Sequence, residues 1–138
     1  MVGLNQDDDD EQLDWLDQVL SASTAVWKVV VGHHPVYSGG QHGNTATLID
    51  RVVPLLQRYG VQAYISGHDH DLQHIAVDGI HYLISGGGSA PRQVTWIEGT
   101  LFAAPSSGFM ATCLTSKKMT VEFVAADGRS LYSNAINR

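Results

Sequence analysis

Apolar positions change their period twice along this chain of 138 residues. Over residues 7–22, Leu13, Leu16, Val19 and Leu20 recur at helical spacing, with Trp15 near the same side. That stripe predicts a helix laid against a core, and the acids at 7–11 suit the positive end of its dipole. The run AVWKVVVG at 25–32 is β-branched and too short for a buried helix, so it predicts a central strand. HHPVYSGGQHGN at 33–44 holds Pro, three Gly and Ser and predicts a loop. TATLIDRVVPLLQRYG at 45–60 predicts a second helix, with Asn44 or Thr45 as N-cap and Gly60 just past its end. Pro54 inside it predicts a kink or a tightened turn. VQAYIS at 61–66 predicts a second buried strand, and GHDH a tight loop after it.

Beyond that loop the texture becomes β. LQHIAVDGIHYLIS predicts two short strands around Asp78-Gly79, a strong hairpin signal. GGGSAPRQ and EGTLFAAPSSG read as loops. FMATCLTSKKMTVEFVAADGRSLYSNAI predicts three antiparallel strands joined at Ser116-Lys117 and Asp127-Gly128. The pattern is helix–strand–helix–strand followed by an antiparallel β-meander, an α/β fold in a single domain, 1–138.

Composition narrows the partners. A content of 43% hydrophobic and 16% charged residues is that of a globular protein. The net charge of −6 points away from nucleic acid and acidic membrane surfaces. Cys113 is the single cysteine, which excludes an internal disulfide. No stretch approaches the ~18 apolar residues of a membrane span. The residues after Met1 have neither the basic start nor the apolar run of a signal peptide.

The chemistry lies at the ends of the two predicted strands. A helix crosses between them, so they are expected to be parallel neighbours, and ligands of open α/β sheets bind in the crevice at such ends. One loop carries His33, His34 and His42, and the other carries His68 and His70. In an extended segment His68 and His70 would point the same way, at one ion. In a tight turn after Gly67 they would splay apart to serve two neighbouring ions. Gly32 and Gly67 permit sharp reversal just before the histidines. Neutral imidazole suits zinc, iron, copper or nickel. His74 and His81, inside the hairpin, read as hydrogen-bonded structural residues, and Trp15, Trp27 and Trp96 as packing residues. The DDDD run reads as a solvated helix start, because four acids without oxygen-rich turns make no cation cage.

Here the residues resemble a known family. VVGHHP and SGHDH resemble the last two metal-binding blocks of the purple acid phosphatases, within the calcineurin-like metallophosphoesterases. GHHPVYSGGQHG, LLQRYGVQAYISGHDHDLQHI, YLISGGGS and MTVEFVAADGRSLY extend the match to the C-terminal half of the small, tartrate-resistant type. The resemblance implies the C-terminal half of an α/β/β/α sandwich and phosphomonoester hydrolysis at a binuclear centre of iron with iron, zinc or manganese. It also implies roles: His33 and His68 on the divalent ion, His70 on the ferric one, and His42 near the phosphate as proton donor to the leaving alkoxide. His34 and Tyr37 would line the substrate pocket. A secreted, lysosomal or vacuolar location goes with the family. A diesterase or nucleotidase of the same superfamily shares GHxH, but the spacing from GHHP to His42 and the closing meander favour the monoesterase type.

The family's other blocks, Gly-Asp-x-Gly, Gly-Asp-x-x-Tyr and Gly-Asn-His, are absent, and the chain has no Gly-Asp dipeptide. Two ligands for one ion and one for the other fall short of the three or more that catalytic sites use. No bridging carboxylate is in view. The strands at 25–31 and 61–66 are also expected to need neighbours from elsewhere to cover an apolar edge. The expectation is an incomplete domain, inactive alone, that pairs with an Asp/Asn-bearing N-terminal half or a second copy of itself. The alternative is a non-catalytic, self-associating chain that binds at most one metal weakly.

Overall fold

Two β-sheets stacked face to face, with helices on the outer face of the larger one, form the core of the computed structural model, which describes residues 3–4 and 10–138. The chain order is β1 (Gly3–Leu4), α1 (Asp10–Ala22), β2 (Val29–Gly32), α2 (Ala46–Arg51), α3 (Val53–Arg58) and β3 (Ala63–Ser66). Then come β4 (Leu72–Val77), β5 (Ile80–Ser85), β6 (Thr100–Ala104), β7 (Gly108–Leu114), β8 (Lys118–Ala125) and β9 (Ser130–Asn137). The larger sheet runs β1-β2-β3-β5-β4-β6 and the smaller β7-β8-β9.

The helix–strand–helix–strand order stands, and β2 and β3 are parallel neighbours, as the crossover helix requires. The expected helix at 45–60 is two short helices, α2 and α3, that meet at Val52 just ahead of Pro54. Proline, lacking an amide proton, opens the second helix from its first turn. Thr45 is the N-cap by backbone alone, since Asn44 Oδ1 accepts instead from the Ser38 amide at 3.0 Å. The acids at 7–9 lie outside the described residues.

Three expectations are corrected. The far edge of β3 is covered from within the chain, where β5 lies parallel to it, while β1 meets β2 only at Val31 and Gly32. Second, EGTLFAAPSSG is not all loop, because β6 pairs antiparallel with β4 and sets Phe102 opposite His74. Its flanking Gly and Pro hid a strand whose evidence is tertiary, the stacking of Phe102 on Phe123 at 5.3 Å. Third, Trp15 and Trp96 are 41% and 66% exposed, while Trp27 packs on the core between the sheets. On α1 the buried stripe is Leu16 and Leu20, and Val19 faces outward.

Strand periodicity divides the interior in two. Tyr64 of β3 faces the helices, with Leu16, Leu56 and Tyr82, whereas Ala63 faces the smaller sheet. β8 sends Met119, Val121, Phe123 and Ala125 inward at every second position. The hairpin at Asp78-Gly79 has positive φ at both residues, 49° and 78°, the turn that matches strand twist. His74, fully buried, bonds Tyr132 Oη at 3.1 Å and His81 Nδ1 at 2.8 Å, so it is a satisfied core histidine.

Candidate metal centre

β2 and β3 end side by side, and each releases a histidine-bearing turn at the same sheet edge. Several contacts fix these turns. The Gly67 amide donates to the His33 carbonyl at 3.2 Å, which links one turn to the other. Tyr64 Oη–H donates to the His34 carbonyl at 3.0 Å. That hydroxyl lies where a side chain at residue 32 would start, which is why the position is glycine. His68 adopts φ 64°, a left-handed conformation uncommon outside glycine.

The result is a cluster of imidazoles. His33 Nε2 and His68 Nδ1 are 3.1 Å apart. The His34 ring lies 4.8 Å from that of His33 and 4.2 Å from that of His68. One ligand nitrogen from each of the three lies within 4.8 Å of the others. His42 comes from the far end of its loop and tilts against His68, centroids 4.1 Å apart. Burial lowers the His68 and His34 imidazoles from the ordinary histidine value, helped by the neighbouring histidines; Asp69 opposes this at His68. The shift favours the neutral ring, the form that ligates metal.

His70 is not one of the three clustered residues. It lines an open depression of about 370 Å³ with His33, Gly67, His68, Ser85 and Gly86. Tyr37 meets Tyr82 edge-on at 4.8 Å and lines a separate depression with Asn44 and Asp78.

Sequence reasoning missed the residues beneath the histidines. Asp69 is fully buried. Its carboxylate accepts from Ser38 Oγ and, at 3.1 Å, from the His42 amide, with His42 Nε2 4.0 Å from Oδ1. It therefore ties the His42 loop to the His68 turn. Asp71, also fully buried, accepts from Gln73 Nε2 at 2.8 Å through one oxygen; the other has no partner. Burial pushes its carboxyl up to about 6, with Asp69 adding to the rise and the Gln73 bond opposing it. A side-chain carbon on Gly40 would fall 2.6 Å from Asp71 Oδ2, so the two loops touch through glycine. The signal was present in HDHDLQ, where Asp69, Asp71 and Gln73 are polar residues just before and at the start of a mostly apolar strand.

The donor set fits a transition-metal ion of borderline softness on three imidazoles. It does not by itself hold a pair of ions: among the described residues no carboxylate joins the cluster, and both aspartates are turned into the loops.

Comparison with known proteins places this geometry. The profile of the calcineurin-like phosphoesterases matches residues 1–72. The human tartrate-resistant acid phosphatase type 5 is 38% identical over 92% of this chain and 42% of its own length. A Plasmodium structure described as GAP50, the anchor in the inner membrane complex, superposes with a TM-score of 0.88 at 27% identity, covering 93% of this chain and 42% of that one. A purple acid phosphatase from yellow lupin seeds shares the fold, with a TM-score of 0.80 at 17% identity over 98% of this chain and 29% of that one. The chain thus spans about 42% of the length of the human relative.

Proposed function

The chain belongs to the calcineurin-like phosphoesterase family, and from that premise we propose that the complete protein is an acid phosphatase in which these residues form the histidine half of a binuclear centre. The observation that carries the reading is the meeting of His33 and His68 at adjacent parallel strand ends, 3.1 Å apart, with His42 against them.

In this reading His33 and His68 hold one ion and His70 the other, iron with iron, zinc or manganese. Bound metal there would clamp the attacking and leaving oxygens and lower the pKa of a bound water. His42 gives a proton to the leaving alkoxide. Asp69 holds the His42 loop in place for that transfer through its amide bond and the 4.0 Å approach to Nε2. His34, beside His33 and His68, shapes the substrate side, whereas Tyr37 packs on Tyr82 and lines a separate depression. The carboxylate and asparagine ligands come from an N-terminal half that carries the Asp and Asn blocks. A secreted, lysosomal or vacuolar location accompanies this reading, and no helix among the described residues is long and apolar enough to cross a membrane.

A second reading has support from GAP50, a relative of close backbone geometry described as an anchor. In it the chain binds a partner and does no catalysis. Coexpression with the Asp/Asn-bearing N-terminal segment of a tartrate-resistant phosphatase separates the two. Phosphatase function predicts hydrolysis of a chromogenic phosphomonoester at acid pH, reduced by roughly 10²–10⁴-fold in His42→Ala. A metal-loaded complex without turnover would establish the second reading.

A further inference from the structure

Tyr37 and Asn44 stand on the loop that carries His33, His34 and His42, and they line a depression with the end of β4 and the turn before β6. Its volume of about 490 Å³ is that of a small-ligand pocket. We propose that this depression binds an organic cation, a primary ammonium group carried on an apolar body of a few carbons.

The lining sorts into an apolar wall and a charged rim. Tyr37, Val77 and Ile97 supply the wall, and all three pack from behind on the core between the larger sheet and its helices. The fold therefore sets their positions before any occupant arrives. The charged residues of the lining are Asp78 and Glu98, both acidic and both exposed. Among the described residues no Lys, Arg or His lines the depression or forms an ion pair with either. The neighbour of Asp78 is a neutral amide, Gln57 Nε2 at 3.5 Å from Oδ2. The field of Asp78 reaches the wall: after burial, it is what raises the Tyr37 hydroxyl above its ordinary value. An aromatic ring beside two such carboxylates attracts a cation twice, through the ring quadrupole and through charge-assisted hydrogen bonds. An anion meets repulsion at the same rim, and the net charge of −6 adds to that preference.

Backbone contacts build the rim. The Ala76 amide donates to the Gly99 carbonyl at 2.8 Å, the Thr100 amide to the Ile97 carbonyl at 3.1 Å, and the Ile97 amide to Thr100 Oγ1 at 2.9 Å. Gly99 has φ 82°, and a side-chain carbon there would fall 2.4 Å from the Ala76 carbonyl oxygen. Glycine thus lets the turn that carries Ile97 and Glu98 close onto β4 beside Asp78. On the opposite side Asn44 Oδ1 accepts from the Ser38 amide at 3.0 Å, and Ser38 Oγ donates to Asp69. An occupant that touches Asn44 is two hydrogen bonds away from the carboxylate that holds the His42 loop.

The test is amide NMR of the 138-residue chain, titrated with phenethylammonium chloride and with its neutral counterpart, phenethyl alcohol. The ammonium should give saturable shifts at Tyr37, Asn44, 76–78 and 97–99, and the alcohol should bind about tenfold more weakly or worse. Asp78→Asn combined with Glu98→Gln should weaken the ammonium by about tenfold or more. Asparagine is at ease in the left-handed turn at 78, so the hairpin stays intact. Asp127→Asn, which removes a carboxylate from the β8–β9 turn, should leave the affinity unchanged. Amide dispersion establishes that each variant is folded. The proposal is overturned if no saturable shift appears at those positions, if the alcohol binds as tightly as the ammonium, or if the double variant keeps its affinity. Shifts confined to the histidine turns would overturn it too. Hydrolysis is not part of the readout, so failure of the phosphatase reading would show in the coexpression assay alone.

Discussion

His74 shows what a single buried side chain contributes here. It sits between the sheets, bonded to Tyr132 and His81, and Asn134 Nδ2 donates in turn to Tyr132 Oη at 2.8 Å. Burial, reinforced by His81 beside it, pushes the His74 imidazole down from 6.5 to about 4. The folded state therefore disfavours the protonated ring. The stability this gives is present above pH 6.5 and is lost as pH falls from 6.5 through about 4. A shift of that size corresponds to about 3 kcal/mol between the two ends of the window. Urea unfolding at pH 7 and at pH 4.5 should show this slope in the unaltered chain and a flatter one in His74→Gln. Equal slopes would mean that the ring does not stay neutral on acidification.

At the scale of elements, the metal-site turns are held by near-contact of backbones. A side-chain carbon on Gly86 would fall on the Asp69 carbonyl, 2.8 Å from its carbon and 3.4 Å from His70 Cα. These are backbone atoms of a buried turn and cannot rotate aside. Gly86→Ala should therefore displace residues 67–71, with a cost at or above the roughly 1–3 kcal/mol of an overpacked core, and weaken metal binding with it. Gly88→Ala, a position with open space around it, should alter neither the melting temperature nor the affinity. If both variants behave alike, the close approach of β5's end to the His68 turn does not fix the site. Much at this scale was legible in the sequence: β2, β3, the Asp78-Gly79 hairpin and β7–β9 follow from local period and turn residues. β6 did not, because Leu101 and Phe102 sit between small residues and acquire a strand's partners only from β4.

For the whole molecule, the second sheet is what turns a strand–helix layer into a three-layer body. Phe123 is its anchor, fully buried and stacked near Phe102 and Tyr132, centroids 5.3 and 6.2 Å away. Phe123→Ala should cost about 3–5 kcal/mol, a large part of the 5–15 kcal/mol that holds a typical domain. Urea unfolding measures it, and a loss below about 1 kcal/mol would mean that the sheets are joined elsewhere. The same packing sets the chemistry at a distance, since β3 and β5 carry core residues of both layers and also end at the metal loops.

The sequence by itself determined the order of helices and strands, because hydrophobic period and turn chemistry are local properties. It also placed five histidines at two strand ends and tied those motifs to the metallophosphoesterases. Only the tertiary structure decided which histidines meet. The left-handed backbone at His68, the Tyr64 hydroxyl under His34 and the buried Asp69 carboxylate act together across three elements, and side-chain convergence is a property of distances that no spacing along the chain encodes. For that reason His34 joins His33 and His68, while His70 lines with His33 and His68 the depression beside them.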